Sequence, residues 1–132
     1  MENIKSLLEW YEKIKLKWFK VQENDILNLI YIWDKFEDIK WEIESEYSEN
    51  NLELDNKKAS KSILLKQKSY KDSLSWKMKN YTDNLIKDII KEEFYNEDLD
   101  LLRKKATIKM LWSKIKTVEQ YVQFFKKIVF KT

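Results

Sequence analysis

The 132 residues of the sequence include no glycine, proline, cysteine or histidine. Average chains carry about 7% glycine and about 5% proline, which supply the tight turns of β-hairpins. A β-sandwich or barrel would have to form all its turns with Asn, Asp and Ser. A helical bundle needs few turns. We therefore expect an all-α bundle without a β-sheet, forming one domain over residues 1–132.

The missing cysteines and histidines also restrict the chemistry. Disulfides and thiolate zinc sites are excluded, and phosphate-binding loops are excluded by the missing glycines. Proton transfer near neutral pH would depend on a carboxylate or a lysine with a strongly shifted pKa. We therefore expect a protein that is not an enzyme, with no catalytic residues, no metal site, no cofactor and no small-molecule substrate.

Pairs of carboxylates at helical spacing do occur, but each pair falls on the polar side of its predicted helix. Such pairs arise by chance in a chain with 23 acidic residues. We interpret them as parts of solvated helix faces. The pairs are Glu9 with Glu12, Asp34 with Asp38, and Glu42 with Glu46.

Apolar residues recur at steps of three and four, the spacing of a buried helix face. The first such stripe contains Ile4, Leu7, Tyr11, Ile14, Trp18 and Val21. The second contains Leu29, Ile32, Trp33, Phe36, Ile39, Ile43 and Tyr47. The segment Gln22–Asp25 interrupts the pattern, and Asn24 or Asp25 is the predicted N-cap of the second helix.

Further breaks are expected along the rest of the chain. Ser48–Asn51 has the composition of a connection, and the pattern resumes from about Asp55. It continues to about Tyr95, either as one helix or as two that break near Thr82–Asp83. Asp98 is a plausible N-cap, and Thr117 with Gln120 matches a capping box that would start a last helix. These signals predict four to six helices.

Charge is arranged in blocks along the chain. Residues 21–55 carry 11 acidic side chains against 2 lysines, and residues 56–91 carry 10 lysines against 3 acids. The last block, 101–132, has nine basic residues and one Glu. The simplest interpretation is internal, with the acidic second helix beside a basic neighbour. The alternative is an exposed acidic or basic face that meets a charged partner.

The six tryptophans are the most informative residues. An AT-rich genome explains abundant Lys, Asn and Ile, but it does not explain Trp, whose codon is GC-rich. Trp18, Trp33 and Trp112 fall within apolar stripes and are expected in the core. Trp41 and Trp76 project among charged residues, and Trp10 lies at the edge of its stripe. These three are candidate partner-binding anchors, since exposed Trp is frequent at interfaces; alternatively, further helices cover them.

The C-terminal segment combines an apolar arc with lysines. Such a helix suits a membrane surface, a docking partner, or an ordinary place in a bundle, which we favour. The candidate anionic-surface residues are Lys104, Lys105, Lys126 and Lys127. Only Arg103 is an arginine, so any nucleic-acid binding should be weak, salt-sensitive and independent of base sequence. The arc consists of Val118, Tyr121, Val122, Phe124, Phe125, Ile128 and Val129.

The Lys- and Asn-rich composition with interspersed Trp is similar to helical domains of malaria parasites. It is also similar to small helical phage and plasmid proteins from AT-rich bacteria, including inhibitors and immunity proteins. No shared motif transfers any residue role. Since Met1–Ser6 has no apolar signal-peptide core and no run approaches 18 apolar residues, we expect a soluble intracellular product, in the host cytoplasm if viral.

Two functional hypotheses follow from these features. The first is a non-enzymatic protein-interaction module, such as an inhibitor, an adaptor or a self-assembling subunit, whose partner is another protein or a second copy. The second is a peripheral binder of anionic membrane or nucleic acid through the basic C-terminal third.

Overall fold

The computed structural model describes residues 2–17, 19–74 and 82–130, and within them the backbone forms four α-helices and no strand. This confirms the all-α fold class and agrees with four to six helices. The predictions for Trp18 and Trp76 lie outside the described residues. The helices are α1 (Glu2–Lys15), α2 (Glu23–Leu74), α3 (Asp83–Glu93) and α4 (Tyr95–Phe130).

Two compact units divide the chain. Unit 1 contains Met1–Glu44 and Ala106–Thr132, and unit 2 contains Ser45–Lys105. The divisions fall within α2 and α4, so each of these helices contributes residues to both units.

Unit 1 holds the main hydrophobic core, built from α1, the first part of α2 and the last part of α4. Tyr11, Phe36 and Phe125, one from each helix, are fully buried. Tyr121 of α4 meets Tyr11 edge to face, with ring centroids 6.0 Å apart. Burying a large apolar side chain contributes about 1.5–3 kcal/mol, so these stripes dominate the stability of the unit. The buried cluster comprises Ile4, Tyr11, Ile14, Ile26, Leu29, Ile32, Phe36, Ile43, Leu111, Ile115, Val118, Val122 and Phe125.

The described residues of unit 2 include fewer buried apolar side chains than those of unit 1. They are Leu54, Leu65, Ile86 and Leu101. Ion pairs join its helices: Lys58 to Asp98 at 2.6 Å, Lys61 to Glu93 at 3.4 Å, and Glu46 to Lys104 at 3.6 Å.

The order of these ion pairs fixes the direction of the helices in unit 2. The α2 members ascend in residue number while their partners descend, so α2 runs antiparallel to the chain from the end of α3 into α4. One of these pairs, Glu46 with Lys104, joins the acidic block 21–55 to the basic block 101–132.

The predicted connection at Ser48–Asn51 is wrong, because this segment lies inside the continuous helix α2. The capping box at Thr117 is also wrong, since Thr117 lies inside α4. Its hydroxyl donates to the carbonyl of Ser113 at 3.0 Å, one turn back, and so cannot start a helix there. Ser, Asn and Thr cost a helix less than 1 kcal/mol each, and neither glycine nor proline is present to stop it.

The predicted N-caps of α2 and α4 are wrong by a few residues. Gln22 caps α2, and its backbone N–H donates to the Asp25 carboxylate at 2.9 Å. Asn24 and Asp25 therefore lie in the first helical turn. Asp98 also lies in a first turn, since its N–H donates to the carbonyl of Phe94.

The break near Thr82–Asp83 is confirmed. Thr82 is the N-cap of α3, and its hydroxyl accepts a hydrogen bond from the Leu85 N–H at 3.2 Å. This satisfies one of the free donors that every helix start exposes.

Candidate functional site

Trp41 projects from α2 into solvent with 61% of its surface exposed. The charged side of the helix was its predicted position, and no described helix covers it. An indole is the largest apolar side chain, and a protein that exposes one leaves substantial apolar area in contact with water. The exposure of Trp41 therefore calls for a functional explanation.

Lys40 supports the Trp41 ring from its own helix. The Lys40 ammonium lies 5.6 Å from the ring centroid, within cation–π range. It also lies 3.8 Å from carboxylate oxygens of both Glu37 and Glu44, and only 11% of the Lys40 side chain is exposed. Lys40 was not among the candidates predicted from the sequence, although the spacing of Glu37, Lys40 and Glu44 indicates two ion pairs along a helix.

Three exposed carboxylates belong to the same part of α2: Asp34 and Asp38, about two turns and one turn before Trp41, and Glu42, which follows it directly. Among the described residues none of them forms a salt bridge, in contrast to Glu46, which pairs with Lys104. We call Trp41 with these three acids the Trp41 face. With Lys40 against the ring and Lys35 in the adjoining groove, this surface is acidic overall but also carries positive charge.

A groove between α1 and α2 in unit 1 borders this face and shares Asp38 and Glu42 with it. Its volume is about 400 Å³. Tyr31 lies at the side of this groove with half of its surface exposed, and the Lys35 ammonium is 5.3 Å from its ring centroid. Tyr31 was not among the candidates predicted from the sequence. The groove is lined by Ser6, Leu7, Tyr31, Lys35, Asp38, Ile39 and Glu42.

Trp10 packs partly buried against the core of unit 1, and its ring centroid lies 5.8 Å from that of Tyr31. Trp33 is also half-buried against this core. Trp112, however, is 52% exposed, so its predicted place in the core is wrong. The neighbouring Leu111 takes the fully buried position, and Trp112 lies under the Lys116 ammonium, which is 3.7 Å from its ring centroid.

The lysines of the alternative hypothesis differ in their surroundings. Lys104 lies 3.1 Å from Asp100 and 3.6 Å from Glu46, and its hydrogen bond to Asp100 raises its pKa. Lys105 and Lys127 are exposed, whereas Lys126 is half-buried.

The apolar arc of α4 is not a free face. Val118, Val122 and Phe125 are buried in the core of unit 1, while Phe124 is 45% exposed. The arc therefore has the ordinary place in a bundle that the sequence favoured.

The described residues contain no group of three or more carboxylates arranged to hold a metal ion. None of the described helices is long and apolar enough to cross a membrane. The candidate carboxylate pairs lie on exposed helix surfaces.

No protein-family model matches the chain, and the searches of curated proteins and of solved structures found no match either.

Proposed function

We propose that this protein is a non-enzymatic interaction module that binds a partner protein through the Trp41 face. The observation that carries the proposal is the exposed Trp41 ring, held by Lys40 among carboxylates that have no salt-bridge partner in the described structure. Tryptophan is among the residues most enriched at the energetic centres of interfaces. Because Lys40 holds the ring in place before binding, less conformational entropy is lost when a partner binds.

The partner surface that fits this face is basic and contains an apolar pocket for an indole. Asp34, Asp38 and Glu42 would meet lysines or arginines, which accelerates association and aligns the partner. The flanking groove at Tyr31 offers additional apolar contact area beside these acids.

Two observations support this face over the basic C-terminal third. Lys104 is already engaged by Asp100 and Glu46. The apolar arc that would enter a membrane surface packs into the core of unit 1 instead.

Substitution of Trp41 tests the proposal. Trp41→Ala should weaken partner binding by about 2 kcal/mol or more, the range of an interface hot spot. The matched control is Leu102→Ala, which removes a similarly exposed apolar side chain (63%) from α4. Tagged wild-type and variant chains would capture partners from a lysate of the source cells, with quantitative mass spectrometry as the measurement.

A partner lost with Trp41→Ala and with Asp38→Lys, but retained with Leu102→Ala, supports the proposal. Circular dichroism checks that the variants fold, which is expected because surface substitutions change stability by about 0.5 kcal/mol or less. Retention of every bound protein by Trp41→Ala and by Asp38→Lys contradicts it. Loss of binding only with Lys105→Glu and Lys127→Glu would favour the anionic-surface hypothesis.

A further inference from the structure

A second exposed tryptophan surface lies on α4 in unit 1. Lys109, Trp112 and Lys116 are all exposed there, and the Lys116 ammonium lies over the indole. Neither lysine forms a salt bridge with a described residue. We call these three residues the Trp112 face.

The Trp41 and Trp112 faces match in layout and oppose each other in charge. Each places an exposed indole at the centre of a helix surface, next to a lysine of its own helix. Asp38 precedes Trp41 by three residues and Lys109 precedes Trp112 by three, so each charge lies one turn before its indole. The remaining charges are Asp34 and Glu42 on the acidic face, and Lys116 on the basic face.

We propose that the partner bound by the Trp41 face is a second copy of this chain, which presents its Trp112 face. This inference rests on the proposed function, because it names the partner of the same site. Charge complementarity carries it: the acids of one face and the lysines of the other form no salt bridge with a described residue, so they can pair with each other between two copies. Foreign basic proteins are the competing occupants, and the experiment separates them.

The two faces are different surfaces, so the contact is head-to-tail. Each bound pair leaves one Trp41 face and one Trp112 face open, and assembly continues into a ring or a filament. Because both faces are charged and solvent-exposed, salt weakens the contact: the screening length falls from about 10 Å at 0.1 M to about 3 Å at 1 M.

Sedimentation velocity measures this assembly directly. The wild-type protein should form concentration-dependent oligomers at about 0.1 M salt and dissociate at about 1 M. Trp41→Ala and Trp112→Ala should each lower the association constant at least tenfold, whereas Leu102→Ala should leave it unchanged.

Charge reversal provides the decisive comparison. Variant A carries Asp38→Lys and Glu42→Lys, and variant B carries Lys109→Glu and Lys116→Glu. Each alone should remain monomeric. An equimolar mixture should associate, since A retains an intact Trp112 face and B an intact Trp41 face. Mixing would not restore association if either variant had failed to fold.

Several outcomes would overturn the inference. One is a wild-type protein that stays monomeric up to about 1 mM, the concentration of very weak complexes. Another is an oligomer that is insensitive to Trp112→Ala and to the charges of variant B. Neither result affects the proposed function if Trp41→Ala still loses a captured protein. Capture that requires Trp41 but not Trp112 identifies a foreign partner.

Discussion

Tyr11 is fully buried in the core of unit 1, yet its hydroxyl has no hydrogen-bond partner among the described residues. The indole N–H of Trp33 is in the same situation. An unsatisfied buried polar atom costs about 1–3 kcal/mol, because it loses water without gaining a replacement. At the scale of the residue, this part of the core is less stable than its close packing indicates.

Tyr11→Phe removes this hydroxyl while retaining the ring and its contact with Tyr121. We expect the free energy of unfolding to rise by about 1 kcal/mol. Urea denaturation followed by circular dichroism measures it, with Tyr121→Phe as the control at a less buried tyrosine. A decrease of similar size would show that the Tyr11 hydroxyl is hydrogen-bonded in solution.

The same residue makes stability depend on alkaline pH. Burial, with repulsion from Tyr121 and Glu12, raises the pKa of Tyr11 far above its usual value of 10.0. The folded state therefore holds the proton more tightly than the unfolded state, and stability falls as the pH rises above about 10. Between pH 8 and pH 11 the wild type should lose more unfolding free energy than Tyr11→Phe. Equal losses would contradict this assignment.

At the residue scale, helical spacing placed Trp41 on the charged side of its helix, among Asp34, Glu37 and Ser45, but it left open whether another helix covers the ring. In the structure the ring is exposed. Trp112 follows Leu111 directly, so only one of the two adjacent residues can lie at the centre of the buried arc. Spacing alone does not decide between adjacent apolar residues, and the core takes Leu111.

Helix α2 continues through Ser48–Asn51, a segment whose composition is typical of a connection. Asn51→Pro should lower the unfolding free energy by about 3 kcal/mol, because proline removes a helical hydrogen bond and clashes with the preceding turn. Asn51→Ala should raise it by a few tenths of a kcal/mol, since alanine is the better helix former. Thermal and urea unfolding measure both changes.

Proline at the start of the same helix is the positional control. Glu23→Pro places the ring at the first helical residue, where its missing N–H has no partner in any case. Glu23→Pro should therefore lower the unfolding free energy by at least about 2 kcal/mol less than Asn51→Pro does. If Asn51→Pro were tolerated as well as Glu23→Pro, the segment would be a connection after all.

Element-scale prediction identified the helical class and the buried stripes but not most helix ends. The stripes depend on the large free energy of apolar burial, which repeats along the whole chain. The ends depend on differences below 1 kcal/mol among Ser, Asn, Asp and Thr. Thr82, where a side-chain oxygen satisfies a free N–H, was placed at its observed boundary, whereas the predicted starts of α2 and α4 were a few residues late.

The described residues of unit 2 bury fewer apolar side chains than those of unit 1, and this difference should appear in local stability. Amides of α3 and of α2 near Leu54 should exchange with solvent at least tenfold faster than amides near Leu29 and Phe36. Local opening costs less where fewer apolar contacts are lost. Hydrogen exchange followed by mass spectrometry at neutral pH measures it. Uniform protection across both units would indicate a single cooperative structure.

The ion pairs of unit 2 favour one alignment of its helices. Glu46 with Lys104 and Lys58 with Asp98 join α2 to α4, and Lys61 with Glu93 joins α2 to α3, all in the antiparallel direction. Each exposed pair contributes little, about 0–1 kcal/mol, yet a shifted alignment would disturb all three together. The alignment of α2 with α4 is supported twice, so a mutation that removes one of its charges leaves a second ion pair that still favours the same alignment.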